Sequence, residues 1–70
     1  MNHILIFKTN IHSPIDMEAI SPLLDGPHII RWSVDREDID RVLRIEATHD
    51  ATHEIIYNIQ QAGYHCEELL

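Results

Sequence analysis

The sequence predicts an α+β two-layer sandwich: a four-stranded antiparallel sheet with two helices on one face, the elements ordered βαββαβ. Three observations carry that prediction. Apolar residues alternate with a period of two over residues 3–9, 29–35, 41–47 and 64–69, as half-buried strands require. They recur at three-to-four spacing over residues 14–24 and again up to about residue 62, as helices with one buried stripe require. Turn and stop signals, Gly26-Pro27 and Gly63, fall between these segments rather than inside them.

Residues 3–9 open the chain as a strand, with Leu5, Phe7, Thr9 and then Ile11 on one face and Ile4, Ile6 and Lys8 on the other. Ser13 is a good helix N-cap, Pro14 suits the first helical position, and Asp16 stands three residues past the cap. The trio resembles a capping box with Asp in place of Glu or Gln. The first helix is expected to run to about Leu24 with Met17, Ile20 and Leu24 buried. Pro22 lies inside it and removes the bond to the Glu18 carbonyl, so a kink or a fresh start capped by Ser21 is expected there.

The second strand, 29–35, turns Trp32 and Val34 inward. A charged connection leads to the third, 41–47, with Leu43 and Ile45 facing the core and Val42, Arg44 and Glu46 facing out. Residues 48–52 carry caps for the second helix, whose apolar side is Ile55, Ile56, Ile59 and Ala62. Gly63 fits the left-handed position past a helix end, and residues 64–69 form the last strand. Two crossover connections then close a ferredoxin-like sandwich.

Composition narrows the function. Seventy residues make one small domain of marginal stability. Twelve acids against five bases leave a net charge of −7, which disfavours nucleic acid and anionic membrane surfaces as partners. No apolar run is long enough to span a bilayer, and the first residues lack the pattern of a signal peptide. The single cysteine, Cys66, excludes an internal disulfide and suits a reducing cytoplasm. Set beside Glu67 and Glu68, its thiol should be a weak nucleophile, and the paired acids sit in exposed segments, so no enzyme is expected.

Phe7-Lys8-Thr9-Asn10-Ile11, Trp32-Ser33-Val34-Asp35 and Ala62-Gly63-Tyr64 together resemble the heavy-metal-associated (HMA) domain family of copper chaperones and metal-ATPase N-terminal modules. The resemblance spans nearly the whole chain. It implies the same sandwich and a first loop in which Cys-x-x-Cys holds Cu(I). In this chain Ser13 and Asp16 occupy the two cysteine positions, and neither is a soft donor. Two readings follow. In the first, the metal loop is degenerate, no cofactor is held, and the domain binds a protein partner or a second copy through the outer sheet face at Ile4, Ile6 and Val42, with Ile30 nearby. In the second, His12 and Asp16, with Ser13, Met17, Tyr64 and His65 close by, weakly hold a divalent ion such as Zn(II), Ni(II) or Cu(II).

Six histidines are many for seventy residues. The strand order places His3, His28 and His49 at the end of the sheet opposite the loop, near Asp25, Asp50 and His53, where imidazoles that converge would make a further site.

Overall fold

The computed structural model describes residues 2–69 and has the expected architecture. Strand β1 (His3–Thr9) leads to helix α1 (Pro14–Ile20) and a 3-10 turn (Ser21–Leu24). Strands β2 (Ile29–Asp35) and β3 (Val42–Ala47), helix α2 (Thr52–Gln61) and strand β4 (Cys66–Glu68) follow. The sheet order is β2-β3-β1-β4, with every neighbouring pair antiparallel. Strands β1 and β3 are therefore central, and their inward side chains Leu5, Phe7, Leu43, Ile45 and Ala47 are buried. Ile11, Ile20, Leu24, Ile55 and Ile59 close over them from the helix side, and Met17, Trp32 and Val34 pack against the edge of that cluster.

Four boundaries differ from expectation, each for a local reason. Pro22 ends α1 as an α-helix at Ile20, and the chain tightens into the 3-10 turn instead of restarting under a Ser21 cap. Ser21 contributes only its backbone N–H, bonded to the Met17 carbonyl. Arg41, expected as the first residue of β3, has φ 45° and closes the β2–β3 connection. There its backbone N–H and its guanidinium both donate to the Asp38 carbonyl, at 3.0 and 2.8 Å. Strand β4 begins only at Cys66, because Tyr64 still bonds back to the Ile59 carbonyl past the left-handed Gly63 (φ 94°). Ala62, placed on the buried side of α2 by periodicity, is exposed, because the helix has already ended at Gln61.

On the outer sheet face, Ile4 and Ile6 do point away from the helices, as does Val42. They do not form a bare apolar plate. Ile4 pairs across β1–β3 with Glu46 and Ile6 with Arg44, while Val42 faces Asp35 across β2–β3. The Arg31 guanidinium lies 3.1 Å from Glu46, and the Lys8 ammonium 3.7 Å from Asp40. Ile30 falls at an irregularity in register between Ile29 and Arg31 and stands partly exposed at the sheet's edge. Among the described residues, no helix is long and apolar enough to cross a membrane.

Candidate functional site

The loop between β1 and α1 is built around one carboxylate. Ser13 has extended backbone (φ −115°, ψ 161°) and its hydroxyl accepts from the Asp16 N–H at 3.1 Å. Asp16 Oδ2 accepts in return from the Ser13 and His12 N–H groups, each at 3.2 Å. The reciprocal bonds complete the capping box that the Ser-Pro-x-Asp spacing predicts, and Pro14 at the first helical position has no N–H to satisfy. Oδ1, the other oxygen, accepts from the Tyr64 hydroxyl at 2.9 Å, tying the α1 start to the turn after α2. That tie crosses 48 positions of sequence and joins the two helices at the loop end of the layer.

These donors set the loop's electrostatics. The His12 N–H above all, then the Tyr64 hydroxyl, stabilise the ionised form and, outweighing a burial penalty, hold the Asp16 carboxyl down at about 2. The same bond to Asp16 pushes the Tyr64 hydroxyl above its usual range. Because the folded value lies below the ordinary 3.8, the carboxylate stabilises the fold above about pH 4. That contribution is lost as the pH falls from there through about 2. Asp16→Asn is accordingly expected to flatten the decline of the urea midpoint across that window. A decline as steep as in the parent chain would mean that the carboxylate carries none of it.

His12 lies beside this group without joining it as a second ligand. Its Nδ1 is 3.1 Å from the Asn10 carbonyl oxygen and 3.4 Å from Asp16 Oδ2. Facing two acceptors, Nδ1 is the nitrogen that carries the proton, so in the neutral ring the free lone pair is on Nε2. Met17 is turned into the core. The His65 backbone is held by the Asn10 side chain at 2.9 Å, while its ring lies 3.8 Å from Glu67. The topology thus brings Tyr64 to Asp16 and leaves the imidazoles of His12 and His65 on separate acidic partners. A soft cation finds no sulfur here, and the oxygens of Ser13 and Asp16 are already bonded within the helix start, so the pair does not fit Cu(I).

Cys66 is buried under α2, and burial, reinforced by Glu67, pushes its thiol up to about 11.

At the opposite end, His28 and His49 do meet: their ring centroids are 4.7 Å apart at 43°. The third group that comes with them is Glu54, in the first turn of α2, rather than His3. The ligand atoms of His28, His49 and Glu54 all lie within 4.8 Å of one another. His3 is not among these three groups; the nearby Asp50 carboxyl is lowered chiefly by hydrogen bonds from the Thr52 side chain and backbone. Glu54 was not foreseen, because nothing in the spacing from His49 to Glu54 marks a shared face until the loop before α2 is folded.

Comparison with known proteins agrees on architecture. A solved structure described as the apo form of the HMA domain of copper chaperone for superoxide dismutase superposes with a TM-score of 0.79 at 15% identity. The match covers 100% of this chain and 69% of that one. No protein-family model matches the chain, and a search of curated proteins finds no match to its sequence. The likeness is one of fold: an HMA-like, ferredoxin-like α+β sandwich.

Proposed function

We infer that this domain is a protein-interaction module on an HMA-like scaffold, its first loop having exchanged thiolate chemistry for helix capping. The observation that carries the reading is the full use of Asp16, whose two oxygens accept from His12, Ser13 and Tyr64 within the fold. The solved neighbour is a domain of a copper chaperone, so a role accessory to metal handling is the setting this scaffold favours. The reading is non-catalytic, since the single thiol is buried and held protonated. A buried free thiol suits a reducing compartment such as the cytoplasm.

The surface offered to a partner is the outer sheet face. All five Lys and Arg residues of the chain fall between positions 8 and 44. Of these, Lys8, Arg31 and Arg44 stand on this face around Ile4 and Ile6. Lys8 and Arg31 are paired to carboxylates, whereas Arg44 makes no ion pair among the described residues and lies directly across from Ile6. Apolar contacts beside an uncommitted guanidinium fit a protein surface that presents aliphatic side chains with a carboxylate. The helices carry Asp16, Glu18 and Glu54 with no Lys or Arg, so the domain would meet that partner sheet-first.

Two measurements test this. In a bicinchoninate competition the chain is expected to leave Cu(I) with the indicator; if the protein takes the ion, the capped-loop reading fails. In sedimentation at rising concentration, Ile6→Lys is expected to abolish association while the thermal midpoint holds. An ideal monomer whose Ile6→Lys form keeps every partner removes the sheet face as the interface. The second reading, a divalent ion at His12 and Asp16, draws on their 3.4 Å approach. It would be favoured by submicromolar Zn(II), Ni(II) or Cu(II) shifts confined to His12, Asp16 and His65 in NMR spectra.

A further inference from the structure

We propose that His28, His49 and Glu54 form a binding site for a borderline divalent cation, Zn(II) in the first instance, at the end of the sheet remote from the β1–α1 loop. The two ends are separated by the length of β1, seven residues or roughly 20 Å. The site is therefore independent of the loop in which the resembled family holds its metal.

Three separate segments build it. The chain enters β2 through a turn in which the Ile29 N–H donates to the Gly26 carbonyl at 3.1 Å, leaving His28 at its corner. The ring of His28 lies over Gly26, close enough that a methyl group there would touch Cε1 at 3.4 Å. The chain leaves β3 through Thr48, whose N–H donates to the His28 carbonyl at 2.9 Å. That bond locks the two loops side by side and brings the His49 ring against His28. Asp50 then receives the N–H and hydroxyl of Thr52, starting α2 so that its first turn returns Glu54 to the pair of rings.

The chemistry matches the geometry. Two imidazoles and a carboxylate are the donor set of three-ligand zinc sites that keep a fourth position open. Ideal tetrahedral Zn(II) with bonds of about 2.0–2.1 Å places its ligand atoms roughly 3.3 Å apart. The three donors here, within 4.8 Å of one another, need only rotamer-scale movement of exposed or half-buried side chains to close on an ion. Asp50 is already bonded to Thr52, which leaves Glu54 as the carboxylate free to ligate. The local charge favours a cation, because the connection into α2 and the helix itself carry Asp50 and Glu54 and no Lys or Arg. The open position would be filled by water or by a donor from a bound protein, so occupancy at this end need not compete with docking at the sheet face.

The test is Zn(II) titration of the untagged chain, followed by calorimetry and by the histidine ring resonances in NMR. The expected result is one ion per chain, with the saturating shifts centred on His28 and His49. His49→Gln and Glu54→Gln, both at exposed positions, should each weaken binding at least about tenfold, with unchanged circular dichroism, since each removes a ligand. His12→Gln should leave the affinity as it was. Affinity that survives both His49→Gln and Glu54→Gln overturns the site, as do shifts centred on His12 and His65 or binding no tighter than that of a lone surface imidazole. A failure of this kind leaves the capped-loop reading standing, because that reading is decided by Cu(I) competition at the other end of the molecule.

Discussion

Replacing Ser13 and Asp16 together by cysteine is expected to create Cu(I) binding that withstands bicinchoninate, at the expense of the stability of α1. The two positions are three apart at the mouth of a helix, and the resemblance to the HMA family implies that its thiolates belong in this turn. Two thiolates there would supply the soft donors that a hydroxyl and a carboxylate cannot. The same exchange removes the reciprocal cap. Losing the Ser13 hydroxyl alone costs about 1 kcal/mol, as Ser13→Ala should demonstrate by itself. The Asp16 replacement additionally strands the Tyr64 hydroxyl and two backbone N–H groups. Copper affinity and thermal midpoint should therefore move in opposite directions in the apo variant. A double variant that melts lower yet takes no Cu(I) would show that the loop differs from a thiolate site by more than its ligands.

Phe7→Ala is expected to bring the domain to the edge of unfolding. Phe7 is 0% exposed, on a central strand, and paired in register with Leu43 on the other central strand. Truncating a buried Phe costs about 3–5 kcal/mol. A chain of this size has in total only roughly 4–10 kcal/mol of stability to lose. At about 4–8 °C per kcal/mol for a domain of this length, the melting midpoint should fall by at least roughly 12 °C. Ile39, equally aliphatic by sequence but 92% exposed in the β2–β3 connection, is the control: Ile39→Ser should stay within about 0.5 kcal/mol. Similar midpoints for the two variants, read by circular dichroism, would contradict the assignment of the core to the inward face of β1.

The alternation of Leu5, Phe7 and Thr9 with Ile4, Ile6 and Lys8 is a property of the strand backbone itself, so the faces of β1 could be read before any partner strand was known. The capping box at Ser13 and Asp16 is likewise local, since every bond in it closes within four residues. The end of α2 was less legible. Periodicity continues through Ala62, but periodicity does not register that Gly63 takes φ 94° and pulls Tyr64 back to the Ile59 carbonyl. Nor does it register that Arg41 adopts a left-handed conformation to close a loop that Asp35 and Asp38 organise through their side chains. Such details are settled by hydrogen bonds that have no spacing of their own.

What the sequence determined alone is the order of elements, the inward faces of β1, β2 and β3, and the chemistry available at the β1–α1 loop, because all three depend on near neighbours. What only the folded chain decided is which distant groups meet. Tyr64 reaches Asp16 across the helix layer, and His28, His49 and Glu54 converge from two loops and a helix start, where sequence order had pointed to His3. The reason is physical: an imidazole's neighbours are set by strand register and loop closure, and a bond such as that between Thr48 N–H and the His28 carbonyl joins segments that one-dimensional order keeps twenty residues apart.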